Sequence, residues 1–213
     1  MTAIVWDKVG ERRYETGIDR GVLYPPGGDA VPWNGLTSVT ESRAREVKSF
    51  YMDGIKYLDQ SVPGSYSAKL QAFTYPEELD ALLGNPELSR GVTIYDQRAS
   101  LFHLSYRSHI GNDLEGIDHG YKIHVVYNIT ASPSDVAFDT IGDSISPHGF
   151  EWELSGASNQ MVGVRPTNHL SFDSRYVEPT LLSQIERYLY GTDTADPYLP
   201  GLIVLLGLLG ILS

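Results

Sequence analysis

The stretch that decides the fold is Arg98–Ala131, RASLFHLSYRSHIGNDLEGIDHGYKIHVVYNITA. In its second half every other residue is apolar: Tyr121, Ile123, Val125, Tyr127 and Ile129. Lys122, His124, Asn128 and Thr130 fill most of the positions between, with Val126 the exception. Alternation of period two is the pattern of a strand with one buried face. Upstream, Phe102, Leu104 and Tyr106 alternate against His103, Ser105 and Arg107 in the same way. The stretch therefore predicts two long strands joined by residues 110–120, an excursion rich in glycine and acids and too long for a tight turn. Loops of that length in a compact domain usually bind something or are disordered, and residues 111–119 are expected to form an assembly loop.

Working outward, the same period-two pattern recurs in Tyr66, Ala68, Leu70 and Ala72 and in Phe150, Trp152 and Leu154. Strands are expected at Ala3–Trp6, Arg13–Tyr24, Pro32–Thr40, Tyr66–Thr74, Gly91–Tyr95, Phe150–Leu154 and His169–Val177. Asp53-Gly54, set between β-prone runs in Val47–Leu58, predicts a tight hairpin because both turn positions of that type favour left-handed backbone. Trp6, Trp33 and Trp152 each sit in alternating apolar surroundings and are expected in the core. Two helices interrupt the pattern. Pro76–Gly84 opens with proline and acids and stops at glycine, the expected polarity of helix ends. In 178–191, Leu181, Ile185 and Leu189 recur every four residues, Leu182 broadens the face, and Gly191 ends the run. That face is expected to close one side or end of a β-sandwich.

The chain has 213 residues, 27 acidic and 16 basic, for a net charge of −11. That balance argues against tight nucleic-acid binding, which needs clustered Lys and Arg. The absence of cysteine removes disulfides and thiolate metal sites and fits folding in a reducing cytoplasm. No signal peptide is visible in the first residues. Leu199–Ser213, LPGLIVLLGLLGILS, is almost wholly apolar but shorter than the ~20 residues of a membrane span and has no basic flank. It is expected to be an arm, centred on Leu202, Ile203, Val204, Leu205 and Leu206, that buries itself on this subunit or on a neighbouring copy. No repeat or composition break appears, so the parse is one domain over 1–198 and an apolar arm over 199–213.

Chemistry is sparse. Glu151 and Glu153 share a strand face about 7 Å apart, a spacing a glycosidase could use. Acids flanking Trp152 are also what the solvent face of a strand looks like, and that reading is preferred. Asp113, Glu115, Asp118 and His119 make an oxygen-rich loop, but not in the EF-hand series. His119 and His124 supply only two candidate zinc ligands and imply no third. No nucleophile elbow, HExxH, phosphate loop or dinucleotide fingerprint occurs. The expectation is a protein without catalytic residues, metal or cofactor.

Several segments, in order along nearly the whole chain, carry a resemblance. They are Arg20-Gly-Val-Leu-Tyr-Pro25, Trp33-Asn-Gly-Leu-Thr-Ser-Val39, Asp53-Gly-Ile-Lys-Tyr57 and Ala72-Phe-Thr-Tyr-Pro76. They continue with Leu104-Ser-Tyr-Arg107, Ile110-Gly-Asn-Asp113, Gly120-Tyr-Lys-Ile-His124, Pro166-Thr167 and Leu189-Tyr-Gly191. Together they resemble the major tail (tail tube) proteins of long-tailed siphophages of actinobacterial hosts. The apolar run 199–213 departs from that pattern.

The resemblance implies a mainly β, sandwich- or barrel-like subunit with one or two flanking helices and extended arms. It implies six copies in a ring, rings stacked into a tube that conducts DNA, and residues Gly111, Asn112, Asp113, Leu114, Glu115, Gly116, Ile117, Asp118 and His119 reaching between subunits or rings. The implied partners are other copies of the chain, a tape measure protein inside the tube, and terminator and baseplate proteins at its ends. DNA passes without specific binding, and no membrane is involved. The implied location is the virion, after assembly in the host cytoplasm. Six chains carry 6 × −11 = −66 formal charges, so an acidic lumen would let DNA slide rather than stick. The alternative from another class is a carbohydrate-binding β-sandwich of a tail tip or baseplate. A tube from a contractile injection system is the neighbouring possibility within the favoured class.

Overall fold

The computed structural model describes residues 3–42, 46–62, 65–136, 140, 149–156 and 167–210. Pro166 of the resemblance and residues 211–213 of the apolar run lie outside them. The chain is mainly β, with antiparallel sheets and, among the described residues, three short helices.

The central pair is β9 (Phe102–Asn112) and β10 (Gly116–Pro133). Against expectation, residues 110–120 are not a long loop. Both strands run into the segment, and only Asp113, Leu114 and Glu115 turn the chain between Asn112 and its partner Gly116. Glycine in the left-handed region at Gly116 and a register shift before Gly120 absorb the surplus residues as a bulge. Glycine and acid content signalled an irregular ribbon rather than an open loop.

Five more strands extend the pair into one sheet. They are β1 (Arg13–Tyr24), β2 (Val31–Trp33), β3 (Leu36–Ser42), β6 (Tyr66–Ala72) and β11 (Phe150–Gly156), in the order β2-β1-β9-β10-β11-β6-β3. A sixth, β12 (His169–Asp173), pairs with Lys122–Val126 of β10, while β11 pairs with Ile129–Pro133 further along the same edge. The long strand thus serves two neighbours in succession. The sheet rolls until β3 comes back beside β1. There Gly21 passes so close to Leu36 that an added Cβ would lie 2.2 Å from its Cδ1.

The roll has two packed faces. Inside lie Leu23, Trp33, Leu70, Phe102, Leu104, Val126, Ile129, Trp152 and Leu154, closed at one end by Leu79 and Leu82 of α1 (Glu78–Leu83). Outside, Val22, Ile123, Val125, Tyr127 and Phe172 meet Leu182, Ile185 and Leu189 of α2 (Pro179–Tyr190) and Leu202, Leu205 and Leu206 of α3 (Leu202–Leu208). The alternation through Ile129 is therefore broken. Asn128 sits at φ 50° beside a register shift, and the bulge turns Ile129 to the face opposite Tyr127. Asn is among the few side chains that tolerate this backbone, and a one-residue slip exchanges strand faces. Val126, the apparent exception, belongs to the inner core.

Both expected helices form. The Glu178 carboxylate accepts from the N–H groups of Thr180 (3.0 Å) and Leu181 (3.1 Å), capping α2. Tyrosine hydroxyls tie the outer layer to the sheet: Tyr24 donates to the Leu189 carbonyl at 2.8 Å, and Tyr121 donates to Glu186 at 2.9 Å. The strand expected over Gly91–Tyr95 shrinks to β8 (Val92–Thr93), which pairs with β7 (Glu87–Ser89) in a small separate sheet, and three other expectations fail locally. Ala3–Trp6 is not a strand, and Trp6 is 75% exposed rather than core. The strand expected over His169–Val177 stops at Asp173, where Arg175 folds back onto the Asp173 carboxylate at 2.7 Å. No helix is long and apolar enough to cross a membrane among the described residues.

Candidate functional site

Three places on the chain can meet a partner or ligand. The first is a hairpin, β4 (Glu46–Met52) and β5 (Ile55–Val62), turned by Asp53 (φ 51°) and Gly54 (φ 77°) as the sequence predicts. It forms its own two-stranded sheet, separate from the eight-stranded one. Every residue from 47 to 60 is exposed. Val47, Phe50, Tyr51, Met52, Ile55, Tyr57 and Leu58 all present apolar surface to solvent, Tyr57 at 75% and Ile55 at 73%. An isolated two-stranded hairpin is marginal in water, and exposed apolar side chains gathered on one such hairpin make it a candidate interaction site.

The second is the β9–β10 tip, the segment expected to mediate assembly. Residues 113–118 are exposed, with Leu114 and Ile117 uncovered, whereas Gly111 and Asn112 are buried within the subunit. The polar groups are spent on shaping the tip. The Asn112 Oδ1 accepts from the N–H groups of Leu114 (3.0 Å) and Glu115 (2.6 Å), Asp113 accepts from Gly10 N–H at 2.9 Å, and Glu115 pairs with His119 at 2.5 Å. The acids of this segment therefore do not converge as a calcium site would require. The Gly10 contact brings the N-terminal segment against the tip, where Ile4, Val5, Trp6 and Val9 are exposed.

The expected arm splits between two roles. Leu202, Leu205 and Leu206 are buried in this subunit's own outer core, while Ile203 (68%) and Val204 (55%) face solvent on the other side of α3. Tyr127 donates to the Pro200 carbonyl at the base of the helix.

The third place is polar, and sequence reasoning missed it. Glu41 of β3, His124 of β10 and His169 of β12 bring one ligand atom each within 4.8 Å of one another. Glu41 and His124 border a cleft between β1 and β3, also lined by Glu15, Ile18, Thr37 and Tyr106. His124 Nδ1 lies 3.2 Å from His169 Nε2, which in turn lies 3.4 Å from Glu41 Oε1. The Tyr106 hydroxyl donates to Glu41, and its ring stacks on His124 at 4.7 Å and 8°. Burial first, then the neighbouring His169, pushes His124 down to about 4, so its ring is neutral near pH 7. Burial also drives the Tyr106 phenol far above its usual range. His119, the other half of the zinc pair considered from sequence, is at the tip and not in this cluster. Its positions 41, 124 and 169 come from three strands distant in sequence, so no local spacing could reveal it.

Glu151 and Glu153 lie on the outer face of β11, opposite the buried Trp152 and Leu154. Glu151 is held by Lys69 at 2.8 Å, which lowers its carboxyl below the usual range. Trp33 and Trp152 meet edge-on in the core at 5.4 Å.

No protein-family model and no curated protein matches the chain. Among solved structures it is similar to the sheath–tube complex of an extracellular contractile injection system, PVC, in its extended state. That match has 17% identity and a TM-score of 0.39, over 72% of this chain and 88% of the other. It is also similar to the tube-terminating cap of the anti-feeding prophage, with 12% identity and a TM-score of 0.40 over 82% and 97% of the two chains. The sheath/tube terminator of the PVC system gives 14% identity and 0.36 over 80% and 99%. Likeness at this level does not extend to what those chains assemble into.

Proposed function

We infer that this chain is a structural subunit of a phage tail or phage-tail-like tube. Copies associate into sixfold rings, and the rings stack into a conduit. The β4–β5 hairpin carries the reading. Its apolar side chains have no cover within the described subunit, and a second copy of the same chain is the partner that would bury them repeatedly. The ordered resemblance to siphophage tail tube proteins supports it, as does the exposed tip over 113–118, which extends the central pair beyond the core. Pairing strands and hairpins between copies also removes free sheet edges.

In this reading Asp113 to Asp118, with Leu114 and Ile117 as anchors, and the solvent side of α3 at Ile203 and Val204 make further contacts between subunits or rings. Net acidity keeps DNA from adhering to the channel wall. Tape measure, terminator and baseplate proteins are the corresponding partners, the particle is the location, and no catalysis is required. The carbohydrate-binding alternative loses Trp33 and Trp152 to the core and keeps Trp6, exposed on the N-terminal segment, as its one tryptophan at solvent.

Negative-stain microscopy with sedimentation over a concentration series tests the proposal. Sixfold rings or hollow tubes are the expected result. A monomer throughout, with the hairpin still exposed to limited proteolysis at the highest concentration, would overturn it.

A further inference from the structure

We propose that Glu41, His124 and His169 form a binding site for a divalent transition metal of the zinc class, which clasps β3, β10 and β12 at the mouth of the roll. Nothing in the tube reading calls for such a site, and the two stand or fall separately.

The donor set is the first argument. Two imidazole nitrogens and one carboxylate oxygen are the mixed ligands zinc takes in sites that leave a fourth position for water. Spacing is the second. Metal–ligand bonds of about 2.0–2.1 Å in a tetrahedron put neighbouring ligand atoms ~3.4 Å apart. The observed separations are 3.2 Å between the two histidine nitrogens and 3.4 Å between His169 and Glu41. The third pair, His124 and Glu41, lies within 4.8 Å and would draw together around a metal.

Support around the ligands is the third argument. Metal-bound histidines ordinarily pass their other ring nitrogen to an oxygen, which fixes tautomer and orientation. His124 Nε2 lies 2.9 Å from Ser108 Oγ, leaving Nδ1 for the metal, and Tyr106 stacks flat on the ring while its hydroxyl holds Glu41. The cleft beside Glu15 and Thr37 supplies a path from solvent.

Position gives the site a use. β3 ends the strand order, and β12 lies off that path as an extra partner of β10. A single ion would tie β3, which shares no ladder with β10, to that central strand and to β12, which already pairs with it, and so hold the roll shut. This is a structural role, and it makes metal binding part of folding stability.

The test uses the full chain stripped with chelator and titrated with Zn²⁺ alone, followed by calorimetry and thermal melting. One ion per chain is expected, with a rise in Tm. Glu41→Gln and His169→Asn should each weaken binding by at least about tenfold, and Ser108→Ala by about tenfold through the orienting bond. His103→Asn, a half-buried histidine outside the cluster, should bind as wild type. Because a core variant can fail to fold, zinc-edge X-ray absorption on the loaded wild-type chain provides an independent reading. Two imidazole nitrogens per zinc support the site. No uptake by the folded wild type, a shell lacking imidazole, or affinity unchanged in both ligand variants would overturn it.

Discussion

The Tyr127 hydroxyl of the central strand donates to the Pro200 carbonyl at 2.8 Å, inside the protein and across 73 residues of sequence. That bond places the start of α3 on the sheet, and Leu205, fully buried, continues the contact. Leu205→Ala is therefore expected to destabilise the subunit by about 2–5 kcal/mol, the usual cost of emptying a buried leucine site. Ile203→Ser, on the solvent side of the same helix, should stay within about 0.5 kcal/mol. Urea unfolding of both variants checks the pair, and equal losses would mean that α3 buries a different face. Truncation at residue 199 then removes core as well as any contact between subunits, so a failed assembly of that variant would not by itself assign an assembly role to the arm.

A second expectation concerns the bulge in β10. Asn128 at φ 50° reverses the facing of the strand, placing Tyr127 under the helices and Ile129 inside the roll. Its N–H donates to His103 Nδ1 at 2.9 Å. A β-branched residue is poorly tolerated here, so Asn128→Val should cost at least about 1–2 kcal/mol, with Asn128→Gly much milder. Chemical denaturation distinguishes them. Equal stability of the Val and Gly variants would mean that the chain relaxes the bulge at no cost.

These two positions also mark what was legible in the sequence. Period-two alternation located the strands that form as Tyr66–Ala72 and Phe150–Gly156, because one-sided burial writes itself into every second residue. Asp53-Gly54 named its turn because few residue types adopt that backbone. The path of β10 past Val126 was not legible, since a strand buried on both faces loses its polar phase and a single Asn can invert it. Trp6 looked like core for the opposite reason: a short apolar run reads alike whether a sheet or another subunit covers it. The Glu41–His124–His169 cluster was invisible because rolling the sheet, not spacing along the chain, brings its members together.

Acid sensitivity follows from the same cluster. In the metal-free chain His124 protonates near 4 instead of the usual 6.5, from burial and then His169, with Glu41, Lys122 and Glu15 also facing it. The folded form keeps the ring neutral while the unfolded chain takes up a proton near 6.5. Its contribution is therefore complete above that pH, is lost as pH falls towards about 4, and levels off below. The slope in that window is at most about 1.4 kcal/mol per pH unit from this group. Burial shifts His103 in the same direction. Unfolding midpoints between pH 7.5 and 4 in chelator should fall accordingly, and His124→Gln should flatten the curve. A slope untouched by that substitution would assign the effect to His103 or to carboxylates.

The last expectation separates folding from assembly at the β4–β5 hairpin. Ile55 and Tyr57 are about three-quarters exposed; Ile55 pairs with Met52 in the hairpin's own small sheet, and Tyr57 falls at that sheet's register shift. Replacing both by aspartate removes apolar surface that the subunit core does not use, so the monomer's stability should change by no more than about 0.5 kcal/mol. If a second copy covers these side chains, two carboxylates in the seam must be desolvated without partners, which costs far more than the lost apolar contact. The double variant should then remain folded and monomeric at concentrations where the wild-type chain forms rings or tubes. Sedimentation and circular dichroism on the same samples read the two quantities separately. Tubes of normal appearance from the double variant would move the seam away from the hairpin, towards the tip at 113–118, and Leu114→Asp with Ile117→Asp would be the variant to compare.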